Sequence, residues 1–115
     1  LNVILASIYS PHNPKGFPTI KGSRDISFFC DDYLEHVIKD EFDCIALPGG
    51  ALNAGNLAKS AILIEKLKQQ RNQKKWYAAI CASPAVVLYP NGLLDGEEAT
   101  CHPSFVKDDM PFKKV

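Results

Sequence analysis

Short apolar segments that alternate with segments of helical periodicity most limit what this chain can fold into. Residues 3–8 are almost continuously apolar, which is typical of a strand buried on both faces of a parallel sheet. The same reasoning predicts further strands at residues 26–29, 43–47, 76–80 and 98–101, and helices at residues 32–38, at 61–71 and after Ser83. Because the connections are long enough for crossovers, this order predicts an α/β domain with a mostly parallel sheet.

Polar and proline-rich segments are expected to separate these elements. Residues 9–22 contain three prolines and two glycines, so a loop is predicted there. The stretch between Gly50 and Ser60 is polar, and the pattern assigns no element to it. Asp32 and Glu35 have the spacing of a capping box at the first helix, and Ser60 and Ser83 are candidate caps for the next two.

Composition excludes several classes of protein. The chain has 115 residues, of which 46% are hydrophobic, so it can bury a core and is not a disordered tail. Its 13 basic and 13 acidic residues give no net charge and no basic cluster, which argues against a nucleic-acid partner. No apolar run approaches the roughly 20 residues of a membrane span, so no membrane partner is expected.

The four cysteines are widely spaced and form no CxxC pair. This pattern predicts neither a metal site nor a disulfide framework, and indicates a reducing, cytoplasmic setting. The chain opens without Met, directly in an apolar segment, so we expect it to begin inside a domain.

Three predicted strands end in residues that can carry chemistry. Ligands of open α/β sheets bind beyond the carboxyl ends of the strands, and parallel strands place those ends at one edge. One strand runs into Pro48-Gly49-Gly50, the next into Cys81, and the last into His102. We therefore expect these segments to meet.

Cys81 is the candidate nucleophile, because a cysteine between a strand and a helix start faces backbone amides that favour the thiolate. His102 is the candidate proton shuttle. The amides of Gly49, Gly50 and Ala82 could form an anion-binding nest or oxyanion hole. Each has a structural alternative: a small buried hydrophobe for Cys81, a loop residue for His102, and a positive-φ turn for the glycines. His12 and His36 are expected to be solvated.

In combination, these segments resemble the ThiJ/PfpI superfamily, in its parkinsonism-associated deglycase branch. The resemblance rests on Leu47-Pro48-Gly49-Gly50, on Ala79-Ile80-Cys81-Ala82 and on His102-Pro103, in this order. Ser23-Arg24-Asp25 and Asn56-Leu57 also match. The match extends from residue 3 to about residue 110.

The resemblance implies a flavodoxin-like three-layer fold and a homodimer, with residues 1–115 forming a partial domain that lacks its first and last elements. It implies a cofactor-independent glyoxalase or deglycase in which Cys81 attacks methylglyoxal or its protein adducts. The alternative is a non-enzymatic oxidative-stress sensor or redox chaperone that uses the same cysteine. The implied partner is a small aldehyde or an oxidant. Arg24 is expected to guide an anion or to lie at the dimer interface; the alternative is a surface ion pair with Asp25.

The chain departs from the family pattern at several positions. Ala82 stands where the protease-like branch has a histidine, so a protease is not expected, and Ser83 replaces a common glycine. The glutamate that binds the cysteine sulfur in the family has no counterpart, because no acidic residue precedes Asp25. A class-I glutaminase, the third class considered, would need a downstream His-x-Glu that this sequence lacks.

Overall fold

The structure is a computed structural model that describes residues 1–8 and 18–110. The chain divides into two compact units, Leu1–Glu41 and Phe42–Val115. Parallel strands and helices occur in both units, so the prediction of an α/β chain is confirmed. That residues 1–115 form one partial domain stays a prediction.

In its described residues, 1–8 and 18–41, the first unit contains two short strand pairs and one turn of helix. Strand β1 (Ala6–Ser7) pairs in parallel with β4 (Asp32–Tyr33), and β2 (Thr19–Lys21) pairs antiparallel with β3 (Ser27–Phe29). Helix α1 (Leu34–Val37) follows β4 directly and buries Leu34 and Val37. The predicted strand at residues 26–29 is present as β3. The prediction of a loop at residues 9–22 is wrong in part, because residues 19–21 form β2. Residues 9–17, which include His12, lie outside the described residues.

The fully buried strand predicted at residues 3–8 is also wrong in extent. Only two residues pair with β4, and Val3 remains 72% exposed. The ladder is short because β4 turns into α1 at once, and because the Asp31 carboxylate, at 2.7 Å, accepts the Leu5 N–H. The neighbouring backbone bond, from Asp31 N–H to the Leu5 carbonyl, measures 2.8 Å.

The predicted capping box at Asp32 is not formed. The N-cap of α1 is Tyr33, whose side chain makes no capping bond, and Asp32 belongs to β4. The Asp32 carboxylate instead accepts the Tyr33 N–H and binds His36 Nδ1, each at 2.7 Å. These two hydrogen bonds, the backbone one first, hold the pKa of the Asp32 carboxyl below its usual value. His36 is exposed as expected, and it is paired.

The second unit is built on two parallel strands joined by two helices. Strand β5 (Cys44–Leu47) pairs in register with β6 (Trp76–Ala79), so that Leu47 lies opposite Ala79. Helices α2 (Ala51–Lys59) and α3 (Ala61–Asn72) form the crossover. Strands β5 and β6 and helix α3 are confirmed, and Ser60 is the N-cap of α3, although its side chain makes no capping bond.

Helix α2 lies in the polar stretch to which the sequence pattern assigned no element. Its asparagines conceal a helical pattern in which Ala54 and Leu57, three residues apart, are buried. The chain after β6 forms a π-helical turn (Pro84–Leu88) and a 3₁₀ turn (Tyr89–Asn91), which ends at Gly92 with φ +72°. The core of this unit consists of aliphatic side chains that are almost fully buried, among them Leu63, Leu67, Val87, Leu88, Leu93 and Leu94.

The strand predicted at residues 98–101 does not form. Ala99 makes an isolated bridge, and the next secondary-structure element is a 3₁₀ turn (Pro103–Phe105). The reason is that the backbone N–H of His102 donates to the Cys81 carbonyl at 2.8 Å rather than to a strand ladder. Among the helices in the described ranges, none is both long and apolar enough to cross a membrane.

Candidate functional site

The site lies where the parallel strands β5 and β6 end. The Ile80 N–H donates to the Leu47 carbonyl at 3.3 Å, so the two chains leave the sheet side by side. The segments that follow, residues 48–50 and 81–83, are therefore neighbours. The sequence placed them at one edge for the same reason.

Gly49 lies directly against Cys81. A Cβ atom added at Gly49 would lie 2.5 Å from Cys81 Cβ and 3.2 Å from its Sγ, both closer than such contacts allow. The Gly49 carbonyl accepts a hydrogen bond from Asn53 Nδ2 of α2 at 3.0 Å. Gly50 has φ +89°, in the region that favours glycine, and precedes α2. Both glycines are thus required by the geometry around the thiol.

Cys81 adopts a backbone conformation that is uncommon for a residue with a side chain. Its φ is +63°, and the residue is half-buried, so the thiol is held on a strained turn but remains reachable. The turn is secured by Ser83, which is fully buried and donates from Oγ to the Pro48 carbonyl at 2.6 Å. Ser83 is the N-cap of the following π-helical turn, as predicted, but its hydroxyl makes this bond between the two loops and no capping bond. Ala82 is fully buried beside it.

His102 is brought to Cys81 by its backbone rather than by its ring. The His102 N–H binds the Cys81 carbonyl, while the exposed imidazole accepts the Ser104 N–H at Nδ1, 3.2 Å away. A neutral imidazole that accepts at Nδ1 carries its proton on Nε2. In this arrangement His102 offers an N–H donor at Nε2, which fits a hydrogen bond to a substrate oxygen, and its role as a proton shuttle stays a prediction.

Arg24 is exposed in the turn between β2 and β3 of the first unit. Asp25, the expected ion-pair partner of Arg24, pairs with Lys21 instead, at 3.3 Å. The role of Arg24 toward an anion or a partner subunit stays a prediction.

Cys101 is the functional candidate that the sequence reasoning missed. It was assigned to an apolar strand, but it is half-buried at the same edge as Cys81. The pKa of the Cys101 thiol is raised, first by burial and then by the negative charge of the nearby Cys81. Its position directly before His102 was the available signal. Within residues 1–8 and 18–110, no three His, Cys, Asp or Glu side chains cluster to hold a metal ion.

The strained φ of Cys81 makes a testable difference between two replacements. We expect the free energy of unfolding of Cys81→Gly to exceed that of Cys81→Ala by about 1 kcal/mol in denaturant unfolding, because only glycine relieves the positive φ. Ala58→Gly, within α2, should instead destabilise the chain by a similar amount. Equal stability of the two Cys81 variants would contradict strain at this turn.

The chain is similar to known proteins in sequence and in structure. The family model described as the DJ-1/PfpI family matches residues 6–114. Protein DJ-1 homolog A of Arabidopsis thaliana is 43% identical over 84 residues, 73% of this chain and 21% of that protein. A protein of Pyrococcus abyssi named a deglycase is 35% identical over 92 residues, 79% of this chain and 53% of that protein.

A solved structure agrees with the same assignment. Oxidized Toxoplasma gondii DJ-1 superposes with a TM-score of 0.81 at 39% identity, covering 89% of this chain and 52% of the other. The chain thus spans about a fifth of the plant relative and about half of the other two. The match over nearly the whole chain shows that it belongs to the DJ-1/PfpI family, with the flavodoxin-like α/β fold that the resemblance implied.

Proposed function

We propose that the protein is a cofactor-independent glyoxalase or deglycase that uses Cys81 to attack methylglyoxal or its protein adducts. The observation that carries the proposal is the strained, reachable Cys81 turn packed against Gly49. A residue held at positive φ between a strand and a helical turn projects its side chain out of the sheet edge, as a nucleophile requires. The deglycase relative from Pyrococcus abyssi supports the same chemistry.

In the proposed reaction, the Cys81 thiolate adds to the aldehyde carbon of methylglyoxal and the carbonyl oxygen becomes an oxyanion. Ala82 follows Cys81 directly, and Gly50 follows Gly49, which packs against Cys81; the amides of Gly50 and Ala82 are the proposed donors to that oxygen. Hydrogen transfer between the two carbonyl carbons then converts the hemithioacetal into a lactoyl thioester, which water hydrolyses to lactate.

His102 is proposed to stabilise the oxyanion that precedes this rearrangement by a hydrogen bond from Nε2–H. Because its Nδ1 accepts the Ser104 N–H, the ring presents Nε2–H to a substrate oxygen. The exposure of the ring leaves it room to approach a ligand bound at Cys81. This role differs from that of a general base, which would need the nitrogen that Ser104 occupies.

The test is lactate formation from methylglyoxal by the full chain. We expect Cys81→Ser to lower kcat/KM by at least about 100-fold, because a serine hydroxyl is not ionised at neutral pH. Cys44→Ser is the matched control, since Cys44 is an exposed thiol in β5, and it should leave turnover unchanged. Unchanged turnover in Cys81→Ser would end the proposal.

A second candidate, an oxidative-stress sensor or redox chaperone, uses the same thiol without turnover. It is favoured by the oxidized state of the Toxoplasma gondii relative and by the second thiol near Cys81. Under both proposals the protein acts in the cytoplasm as a homodimer, on a small aldehyde or an oxidant. Oxidation spread evenly over all four cysteines would count against a sensor centred on Cys81.

A further inference from the structure

Two of the four cysteines lie at the same edge of the second unit. Cys81 and Cys101 are both free and half-buried, so each combines access with a protected surrounding. Cys44, in the same unit, is exposed in β5, and Cys30 is 2% exposed in the first unit. Cys101 is therefore the thiol that shares the surroundings of Cys81.

The backbone brings the Cα atoms of the two residues close together. The His102 N–H donates to the Cys81 carbonyl at 2.8 Å. Four covalent bonds and this hydrogen bond connect the Cα atoms of residues 81 and 101, so these atoms are at most about 8.4 Å apart even along a straight path. The bond angles shorten the path, and a disulfide spans Cα atoms about 4.4 to 6.8 Å apart.

The surroundings give the two thiols different roles. The Cys101 thiol is disfavoured as a thiolate by its burial and by the charge of Cys81. A peroxide therefore reacts first with Cys81, while Cys101 stays protonated beside it. Cys101 also lies outside any helix or strand, between the Ala99 bridge and the 3₁₀ turn at Pro103, so its backbone can move toward Cys81.

We propose that Cys101 is a resolving cysteine that closes a reversible disulfide with Cys81 after a hydroperoxide has oxidised Cys81. The proposal rests on the reactivity proposed above for the Cys81 thiol, and it adds a modification site and its partner. The disulfide would block the nucleophile and protect it from irreversible oxidation until a thiol reductant restores both cysteines.

The two steps balance with a hydroperoxide as the oxidant. The Cys81 sulfur attacks the terminal oxygen, the O–O bond breaks, and the leaving oxygen takes a proton as water or an alcohol, which leaves a sulfenic acid. The Cys101 sulfur then attacks Cys81 Sγ, the S–O bond breaks, and the hydroxide leaves as water with the proton of the Cys101 thiol. Two thiols are oxidised to one disulfide, and the peroxide is reduced.

Intact-mass measurement of the full chain after equimolar hydrogen peroxide tests the proposal. We expect the wild type to lose the mass of two hydrogen atoms and to recover it with dithiothreitol. Trypsin leaves both cysteines in one peptide, residues 76–107, which contains no internal Lys or Arg. Cleavage at Glu97 and Glu98 is therefore needed to show that Cys81 and Cys101 are joined.

The variants separate this proposal from the one on which it rests. Cys101→Ser should retain a sulfenic acid at Cys81, which is detected as its dimedone adduct or after further oxidation to a sulfinic acid, whereas Cys44→Ser should form the disulfide like the wild type. A wild type that gains oxygen at Cys81 without losing hydrogen would overturn the resolving role and leave the reactive Cys81 intact. No modification of Cys81 in any variant would overturn both, and a disulfide with Cys44 or between chains would overturn the assignment of Cys101. The wild-type mass decides even if the Cys101 variant does not fold.

Discussion

Gly49→Ala should destabilise the full chain by about 2 to 3 kcal/mol, the cost of forcing extra volume into a packed site. The new methyl group would lie 2.5 Å from Cys81 Cβ and 3.3 Å from the Ile80 carbonyl oxygen. Neither neighbour is the far end of a flexible side chain, so the backbone of one of the two loops must move. The thiol moves with it, and lactate formation from methylglyoxal should fall at least about 10-fold.

Gly55→Ala is the matched control for this substitution. Gly55 lies in α2, and a Cβ there meets nothing within 4 Å. Alanine at this position should raise stability by about 0.5 to 1 kcal/mol, because glycine is unfavourable inside a helix. Denaturant unfolding of both variants measures the difference. A Gly49→Ala variant as stable and as active as Gly55→Ala would show that the two loops are not in the close contact described above.

The elements that the sequence predicted best are those whose apolar pattern coincides with burial and pairing. Strands β5 and β6 are short apolar runs that pair in parallel, and α3 buries Leu63, Ile64 and Leu67 as its periodicity indicated. Helix α2 was missed because a segment composed mainly of alanines and asparagines contains few large apolar residues that could reveal a helical pattern. Its buried face needs only Ala54 and Leu57.

The side-chain capping bonds expected at Asp32 and Ser83 are absent for one physical reason. Both are of residue types that commonly cap helices, but a carboxylate or hydroxyl binds whichever donor or acceptor the tertiary structure brings nearest. For Asp32 these are Tyr33 N–H and His36, and for Ser83 it is the Pro48 carbonyl. Pairing partners far away in sequence, such as Pro48 for Ser83, do not show in a local pattern.

Cys81 and the glycines were predictable as site candidates, because the Pro48-Gly49-Gly50 turn and the position of Cys81 after a strand are visible in the local sequence. The role of Cys101 was not, since its closeness to Cys81 depends on the His102 N–H bond between segments 20 residues apart. The ring orientation of His102 depends likewise on Ser104, which follows it in a 3₁₀ turn. The local sequence therefore indicates the position of the thiol, whereas the residues around the thiol depend on tertiary hydrogen bonds.

The segment that leads to Cys101 and His102 has no strand ladder to hold it, and Arg71 of α3 takes over part of that task. Arg71 Nη1 donates to Tyr77 Oη and to the Leu93 carbonyl, each at 2.8 Å, and Nη2 donates to the Asp95 carbonyl at 2.6 Å. One guanidinium thus joins α3, β6 and the turn that follows Gly92.

We therefore expect Arg71→Ala to destabilise the full chain by about 2 kcal/mol, within the range for hydrogen bonds made by a charged group. Arg71→Lys should recover only part of this loss, because an ammonium lacks the planar fork that reaches two carbonyls. Lys68→Ala, at an exposed position of the same helix, should change stability by less than about 0.5 kcal/mol.

The same variant connects the fold to the thiol pair. If Arg71 fixes the approach of the chain to residue 101, Arg71→Ala should also slow disulfide closure, so that peroxide leaves a larger share of Cys81 with added oxygen. Intact-mass measurement under the conditions used for the wild type gives this share. An Arg71→Ala chain that loses stability but closes the disulfide at the wild-type rate would show that the His102 bond to the Cys81 carbonyl is sufficient to hold the two cysteines together.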